Sequence, residues 1–312
     1  VNNDGIDDII IGAPGGDPNS KSDAGEAYVV FGSTAAFAAT VSLATLNGTT
    51  GFVLNGETAG DKLGDFVHAA GDVNGDGIDD LIVGAGYGDP NSLTDAGESY
   101  VVFGTTAGFS ATIELAALNG SNGFKINGLE AGKHAGISVS NAGDVNGDGY
   151  DDVLIGTYRG EGSYSGGNEA YVLFGGPSVG ASGSVNLSTL AGTDGFIVGD
   201  FSSGTRGSFV SSAGDVNGDG FDDLLVSDSK ADPGGNGDAG ETYVIFGGDF
   251  SNVVTHLGTS AADQLTGTTS RNIMVGGQSN DTLAGAGGAD TLLGGGGNDI
   301  LGISDTTFQR ID

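Results

Sequence analysis

Cysteine and tryptophan are absent from this chain, methionine occurs once, proline five times, and only nine of the 312 residues are Lys or Arg. Without cysteine there is neither a disulfide framework nor a thiolate zinc site. Nine basic residues against 41 acidic ones leave a formal charge of -32, which repels nucleic-acid phosphates and anionic membrane surfaces, so nucleic acid is excluded as a partner. No apolar run approaches the roughly 18 residues of a membrane span, and no stripe of 3.6-residue period has useful length, so no membrane span is expected. The chain lacks an initiating Met and a basic, apolar signal segment, and it opens inside a repeated motif, so the true N-terminus is expected upstream. Catalytic signatures are missing too: there is no G-x-S-x-G elbow, and Walker and dinucleotide glycine patterns in strand-helix context are lacking. The three histidines, His68, His134 and His256, fall in different contexts, and His68 takes a place held by Ser140 and Ser211 in later repeats. No enzyme is expected.

What the chain does have is glycine, 63 residues without a collagen period, and 37% apolar residues, enough for a core threaded by tight turns. Self-comparison then gives the organisation. "DVNGDGIDDLIVGA" from Asp72 returns as "DVNGDGYDDVLIG" from Asp144 and "DVNGDGFDDLLVS" from Asp215, at intervals of 72 and 71 residues, and the chain opens on "VNNDGIDDIIIGAP". Behind each copy follow "GEAYVVFG", "GESYVVFG", "NEAYVLFG" and "GETYVIFG", then "GFVLNG", "GFKING" and "GFIVGD". Ahead of the internal copies stand "FVHAAGD", "ISVSNAGD" and "FVSSAGD". Each period therefore offers four short runs rich in Val, Ile, Tyr and Phe, separated by Gly, Asn, Asp and Ser clusters. Four-stranded antiparallel sheets repeated radially make a β-propeller. The first unit lacks its first strand and the last lacks its fourth, so residues 1–250 hold an incomplete propeller of about 3.5–4 blades. Its open edges call for cover: residues outside this chain, pairing of the first and last units, or strands of a neighbouring molecule.

From about Thr255 the period drops to nine: "GTSAADQLT", "GTTSRNIMV", "GGQSNDTLA", "GAGGADTLL" and "GGGGNDILG" cover 258–302. Position six is Asp263, Asn272, Asp281, Asp290 and Asp299, and position eight is Leu265, Met274, Leu283, Leu292 and Leu301. Glycine turns, one acid and one aliphatic per nonad describe a short parallel β-roll over 251–302. The closing tail, 303–312, breaks the period and is unassigned. The fold class is thus all-β throughout.

A cationic partner is implied by the charge, and the long repeat shows where it would sit. In D-x-N-x-D-G-x-x-D, oxygens at positions one, three, five and nine converge if the chain bends at the Gly, with the carbonyl of position seven completing the ring. This is the hard-oxygen coordination that calcium takes, six to eight ligands at about 2.3–2.6 Å. The candidate ligands are Asp72, Asn74, Asp76, the Ile78 carbonyl and Asp80; Asp144, Asn146, Asp148, the Tyr150 carbonyl and Asp152; and Asp215, Asn217, Asp219, the Phe221 carbonyl and Asp223. The first copy keeps Asn2, Asp4, the Ile6 carbonyl and Asp8 but lacks its first ligand, so weak binding is expected there. An EF-hand would place Glu at position twelve, where a strand follows here. Solvated Asx turns are the bland alternative. Three copies that keep Asp, Asn, Asp, Gly and Asp in register while neighbouring residues vary weigh against it. Pairs such as Asp79-Asp80 could serve acid-base chemistry, yet the loop assigns one of each pair to metal and repeats it in every blade.

The 72-residue units resemble the FG-GAP repeat of integrin α-subunit propellers and bacterial surface proteins, whose blades carry this calcium loop between their first two strands. The eponymous ends are worn: Gly12-Ala13-Pro14 becomes Gly84-Ala85-Gly86, then Gly156-Thr157-Tyr158 and Ser227-Asp228-Ser229, while "FG" reads Leu63-Gly64, Ala135-Gly136 and Arg206-Gly207. The nonads resemble the RTX, haemolysin-type calcium repeat of secreted bacterial proteins. In that family calcium sits between turns two nonads apart, which implies Asp263, Asp281 and Asp299 on one edge and Asp290 with Asn272 on the other. Together the resemblances imply a calcium-binding protein exported by type I secretion to the cell surface or extracellular matrix. A structural or adhesive role is expected, with self-association or an extracellular partner at the open blade edges and assembly into fibres. The rival expectations are a propeller that binds a glycan or protein, and an accessory region of a larger secreted hydrolase. Asn47, Asn119, Asn186 and Asn280 fit the glycosylation sequon, which is common in Asn-rich loops. The acidic group "GDPNSKSDAGE" at 16–26, repeated at 88–98 and altered at 231–241, is expected to be an ordinary polar loop, with a further cation or ligand site as the alternative.

Overall fold

The β-branched and aromatic runs form strands wherever the sequence alternates them with Gly, Asn and Asp turns, and no α-helix occurs among the described residues. A computed structural model describes residues 1–158, 169–199, 208–303 and 308–311. The first sheet is β1 (Ile9–Ala13), β2 (Glu26–Val30) and β3 (Gly51–Asn55), antiparallel in that order. The second is β4 (Phe66–Gly71), β5 (Asp80–Ala85) and β6 (Glu98–Val102); then, after a short β7 (Thr112–Glu114), comes its fourth strand, β8 (Gly123–Asn127). The third repeats this with β9 (Ser138–Gly143), β10 (Asp152–Gly156) and β11 (Ala170–Leu173), then a short β12 (Ser184–Asn186), and β13 (Gly195–Val198). The fourth holds β14 (Ser208–Gly214), β15 (Asp223–Asp228) and β16 (Glu241–Ile245). These are propeller-like blades, and as the sequence predicts, the first lacks its innermost strand and the last its outermost. The Arg206-Gly207 pair lies outside the described residues.

Two strands go beyond the sequence reading. β7 leaves the second unit to pair parallel with β3, and β12 leaves the third to pair parallel with β8, so the outer edges of the first two sheets are covered by the following unit. An uncovered edge would present unpaired amides and carbonyls to other chains.

The core lies between blades. Ala27, Val29 and Phe52 of the first blade pack against Val83, Tyr100 and Val102 of the second. Ile82, Val101 and Phe124 of the second meet Val153, Ile155 and Tyr171 of the third. Leu154, Val172 and Phe174 of the third meet Val210, Leu224 and Val226 of the fourth. The period-2 alternation of each strand thus gives every blade a back face toward its predecessor and a forward face toward its successor.

The nonads form two parallel sheets paired at a spacing of 18 residues, with a strand of the closing segment added at a spacing of 19. One is β17 (His256–Leu257), β19 (Ile273–Val275), β21 (Thr291–Leu293) and β23 (Arg310–Ile311); the other is β18 (Gln264–Thr266), β20 (Thr282–Ala284) and β22 (Ile300–Gly302). Met274, Leu283 and Leu292 stack fully buried between them. β23 comes from the closing segment that the nine-residue period does not cover.

Candidate metal centres

The three full acidic loops are each built at a β-bulge. The register slips by one residue between Ala69 and Gly71, between Asp152 and Val153, and between Ser212 and Gly214, where the loop joins its strands. Gly71 and Gly143 take φ of +73° and +75°, and a Cβ at either would run into the carboxylate of Asp151 or Asp222 in the next blade. Glycine is therefore required there twice over, by backbone conformation and by the close approach of a neighbour.

Within the loop at 72–80, Asp72 Oδ1 accepts the N–H groups of Gly75 and Asp76 at 2.8 and 3.0 Å, and its Oδ2 accepts that of Gly77 at 2.8 Å. Asn74 Oδ1 accepts the Asp76 amide at 2.8 Å, and Asp76 Oδ1 accepts that of Ile78 at 3.0 Å. Asp80, fully buried, accepts the amides of Val73 at 3.1 Å and Gly104 at 2.9 Å. The loop at 144–152 repeats this with Asp144, Asn146, Asp148 and Asp152, and the N–H of Tyr150 donates to Asp148. The loop at 215–223 does so with Asp215, Asn217, Asp219 and Asp223, and the N–H of Phe221 donates to Asp219. In the opening loop, Asn2 and Asp4 make the same turn, Ile6 donates to Asp4, and Asp8 accepts Gly32 N–H at 2.9 Å and the Val1 ammonium at 3.0 Å.

This scaffold crowds like charge. Burial pushes Asp80 up to about 8; the amides of Gly104 and Val73 oppose the rise, and the charges of Asp72 and Asp76 add to it. Asp152 is raised well above the carboxylate range, first by burial and then by Asp144 and Asp148, and Asp144 rises with it. Among the described residues no ion pair reaches Asp72, Asp76 or Asp80. Nor do three acidic or histidine side chains stand there in ion-holding geometry; the carboxylate oxygens are turned to backbone amides. Asp and Asn oxygens together with main-chain carbonyls form a donor set that suits a hard divalent cation, and buried carboxylates without a cationic side chain fit one.

In the roll, the N–H of Asp263 donates to Asp281 Oδ1 and that of Asp281 to Asp299 Oδ1, both at 2.7 Å, while Asn272 N–H donates to Asp290 Oδ1 at 2.8 Å. Asp263, Asp281 and Asp299 thus form one column and Asn272 with Asp290 another, the grouping that the family resemblance implies. Asp281 is buried and its Oδ2 has no hydrogen-bond partner, so this carboxylate, too, fits a cation.

Sequence reasoning gave the first Asp of each Asp-Asp pair no role. Asp151 Oδ2 accepts the amide of Asp72, and Asp222 Oδ2 that of Asp144, both at 2.8 Å, so the loops of the second and third blades are each clamped by the next blade. The repeated pairing was the available signal. Equally unforeseen, the roll docks on the acidic loops of the third and fourth blades. Phe221 packs with Val275 and Leu293, Gln278 Nε2 donates to the Asn217 carbonyl at 2.7 Å, Arg271 Nη2 to that of Asp148 at 3.0 Å, and Arg310 pairs with Asp151 at 3.1 Å. His68 is exposed, its Nδ1 2.8 Å from the Ala69 carbonyl, and the polar loop at 16–26 closes on itself through Asp17 Oδ1, which accepts the Asp23 amide.

Blades that carry one acidic loop apiece, followed by a parallel roll with acidic columns, define an all-β repeat protein of propeller and β-roll type. The family comparisons agree. The FG-GAP repeat matches residues 1–30, 68–102, 135–173 and 207–245, and the RTX calcium-binding nonapeptide repeat matches 257–292 and 266–301. The chain thus carries four segments that match the FG-GAP repeat and, after them, an array that matches the RTX nonapeptide repeat. It is 32% identical over 170 residues to integrin alpha pat-2 of Caenorhabditis elegans, covering 51% of this chain and 12% of that protein. To integrin alpha-4 of Xenopus laevis it is 29% identical over 173 residues, 54% of this chain and 15% of that one. To integrin alpha-PS2 of Drosophila melanogaster it is 33% identical over 111 residues, 34% and 7%. The chain thus spans only a small part of these relatives' length.

Proposed function

We propose that this is an extracellular calcium-binding protein with a structural or adhesive task, and that calcium holds its acidic loops and roll in the folded state. The observation that carries the reading is Asp80, a fully buried carboxylate facing two more, with no cationic side chain paired to any of the three among the described residues. Asp72, Asn74, Asp76, the Ile78 carbonyl and Asp80 would hold the ion in the second blade. The matching sets from Asp144 to Asp152 and from Asp215 to Asp223 would do so in the third and fourth, and Asn2, Asp4, the Ile6 carbonyl and Asp8 would bind more weakly. In the roll, Asp263, Asp281 and Asp299 would serve one column and Asp290 the other. The ion would supply charge neutralisation; the chain's own groups fix the loop through backbone amides. Residues 1–250 form the blade unit, 251–302 the roll and 303–312 the tail in this reading.

The matched families are repeat, adhesion-type and calcium-binding domains, which supports a surface or extracellular location and a non-enzymatic role. Among the described residues no helix is long and apolar enough to cross a membrane. The proposal includes export by bacterial type I secretion, with folding deferred until calcium is met outside; the RTX array and the affinity of extracellular calcium modules, about 10⁻⁴–10⁻³ M, support it. Assembly through open blade edges completes the proposal. Calcium titration followed by far-UV circular dichroism and calorimetry tests it: saturable binding and gain of β-structure in the millimolar range are expected. A chain equally folded in chelator, with no heat of binding, overturns it.

A further inference from the structure

Large exposed apolar side chains concentrate at the two ends of the blade array. On the fourth blade, Leu224 and Val226 bury against the third, while Val244 and Phe246, on the side away from it, are 48% and 55% exposed. Val216 is 58% exposed, although Val73 and Val145, at the same place in earlier blades, are 0% exposed. On the first blade, Ile9 and Ile11 of the back face stand open, whereas Leu81 and Val83 of the second blade occupy those positions in a core. One end therefore presents a forward face and the other a back face, the two surfaces that every internal blade junction joins.

The polar half of the junction is complementary in the same way. The Asp151 carboxylate accepts the Asp72 amide and Asp222 accepts that of Asp144, while the amides of Thr105, Gly176 and Gly248 donate to the carbonyls of Val1, Val73 and Val145 at 3.0, 2.8 and 2.9 Å. At the ends these partners are separated. Asp7, exposed, holds the place of Asp151, and Ser33 that of Gly176; Asp215 and Val216 hold the places of Asp72 and Val73. Space is left as well: a Cβ at Gly214 would meet nothing within 4 Å, where one at Gly71 or Gly143 would strike the incoming Asp.

We propose that the forward face of the fourth blade docks on the back face of the first blade of a second copy of this chain, repeating the internal blade junction between molecules. The occupant is argued from continuity with that junction: the apolar face, the Asp7 carboxylate for the Asp215 amide, and the Ser33 amide for the Val216 carbonyl are all present on one chain. Such a contact is heterologous, so it closes into a ring or continues as a fibre. The inference rests on the calcium-dependent self-associating role above and names its surfaces.

The test is sedimentation of the whole chain in millimolar calcium, with circular dichroism on the same samples. The parent chain should sediment as a dimer or larger. Val244→Asp and Ile11→Asp, each spoiling one face, should each be monomeric with unchanged β-structure. Mixed, they should form a one-to-one dimer and nothing larger, because each contributes the face that the other has lost. Should Val244→Asp fail to fold, Phe246→Ser on the same face replaces it. A folded, monomeric parent overturns the proposal in favour of cover by residues outside this chain, as does either variant that associates as the parent does or a mixture that stays monomeric. A chain that calcium does not fold would instead defeat the calcium reading, and circular dichroism separates the two failures.

Discussion

Calcium removal should reverse the pH dependence that acidic proteins usually show. Asp80 has its carboxyl pushed from 3.8 to about 8, chiefly by burial, and Asp144 and Asp152 move in the same direction. A folded-state pKa above the unfolded value means that the native chain binds more protons than the unfolded one between those limits. Stability therefore falls as pH rises across that window, by at most ~1.4 kcal/mol per pH unit for each such group. For Asp80 the full span of about 4 units corresponds to roughly 6 kcal/mol at most. Even half of that at Asp80 alone is a sizeable share of the ~5–15 kcal/mol that holds a domain together. Calcium at 100 times its dissociation constant returns about 2.7 kcal/mol per site and keeps the carboxylates ionised. Urea unfolding at pH 5, 6, 7 and 8, in chelator and in millimolar calcium, is the assay. In chelator the midpoint should fall steadily from pH 5 to 8; in calcium it should be flat or rise. A chelated chain whose stability is level or climbs with pH would refute the reasoning.

Two further outcomes follow from packing and charge. Asp61 is buried, and burial followed by the charges of Glu98 and Asp89 raises it to about 7; it takes the place that Lys133 fills in the next repeat, where that lysine pairs with Glu169. By the same sign, Asp61 disfavours folding increasingly from pH 4 to 7, so Asp61→Asn should stabilise by about 2–4 kcal/mol at pH 8 and hardly at pH 4, read by denaturant unfolding. Phe221→Ala should remove ~3–5 kcal/mol of packing between the fourth blade's loop and the roll, seen as faster hydrogen exchange in β19 and β21 with the first two blades unaffected.

Most of the candidate sites were legible because their information is local. A loop of nine residues repeated in register names its own candidate ligands, and a nonad fixes which residue turns inward and which faces the column. Position nine of the acidic loop, Asp80, Asp152 or Asp223, is buried in every full copy. By contrast, the other Asp of each pair is read correctly only when its partner in the preceding blade, 78 or 79 residues away, is known.

The sequence by itself determined the all-β class, the number and phase of the blades, the missing strands at either end, the two acidic motifs and the period of the roll. Each of these depends on period-2 alternation, turn chemistry or spacing, and all are written along the chain. Only the tertiary structure decided that β7 and β12 cover their neighbours' edges, that β23 extends the roll, and that the roll rests on the loops of the third and fourth blades. Those choices join residues as far apart as Asp151 and Arg310, 159 positions, and they are settled by which apolar faces and unpaired edges remain once the local elements have formed.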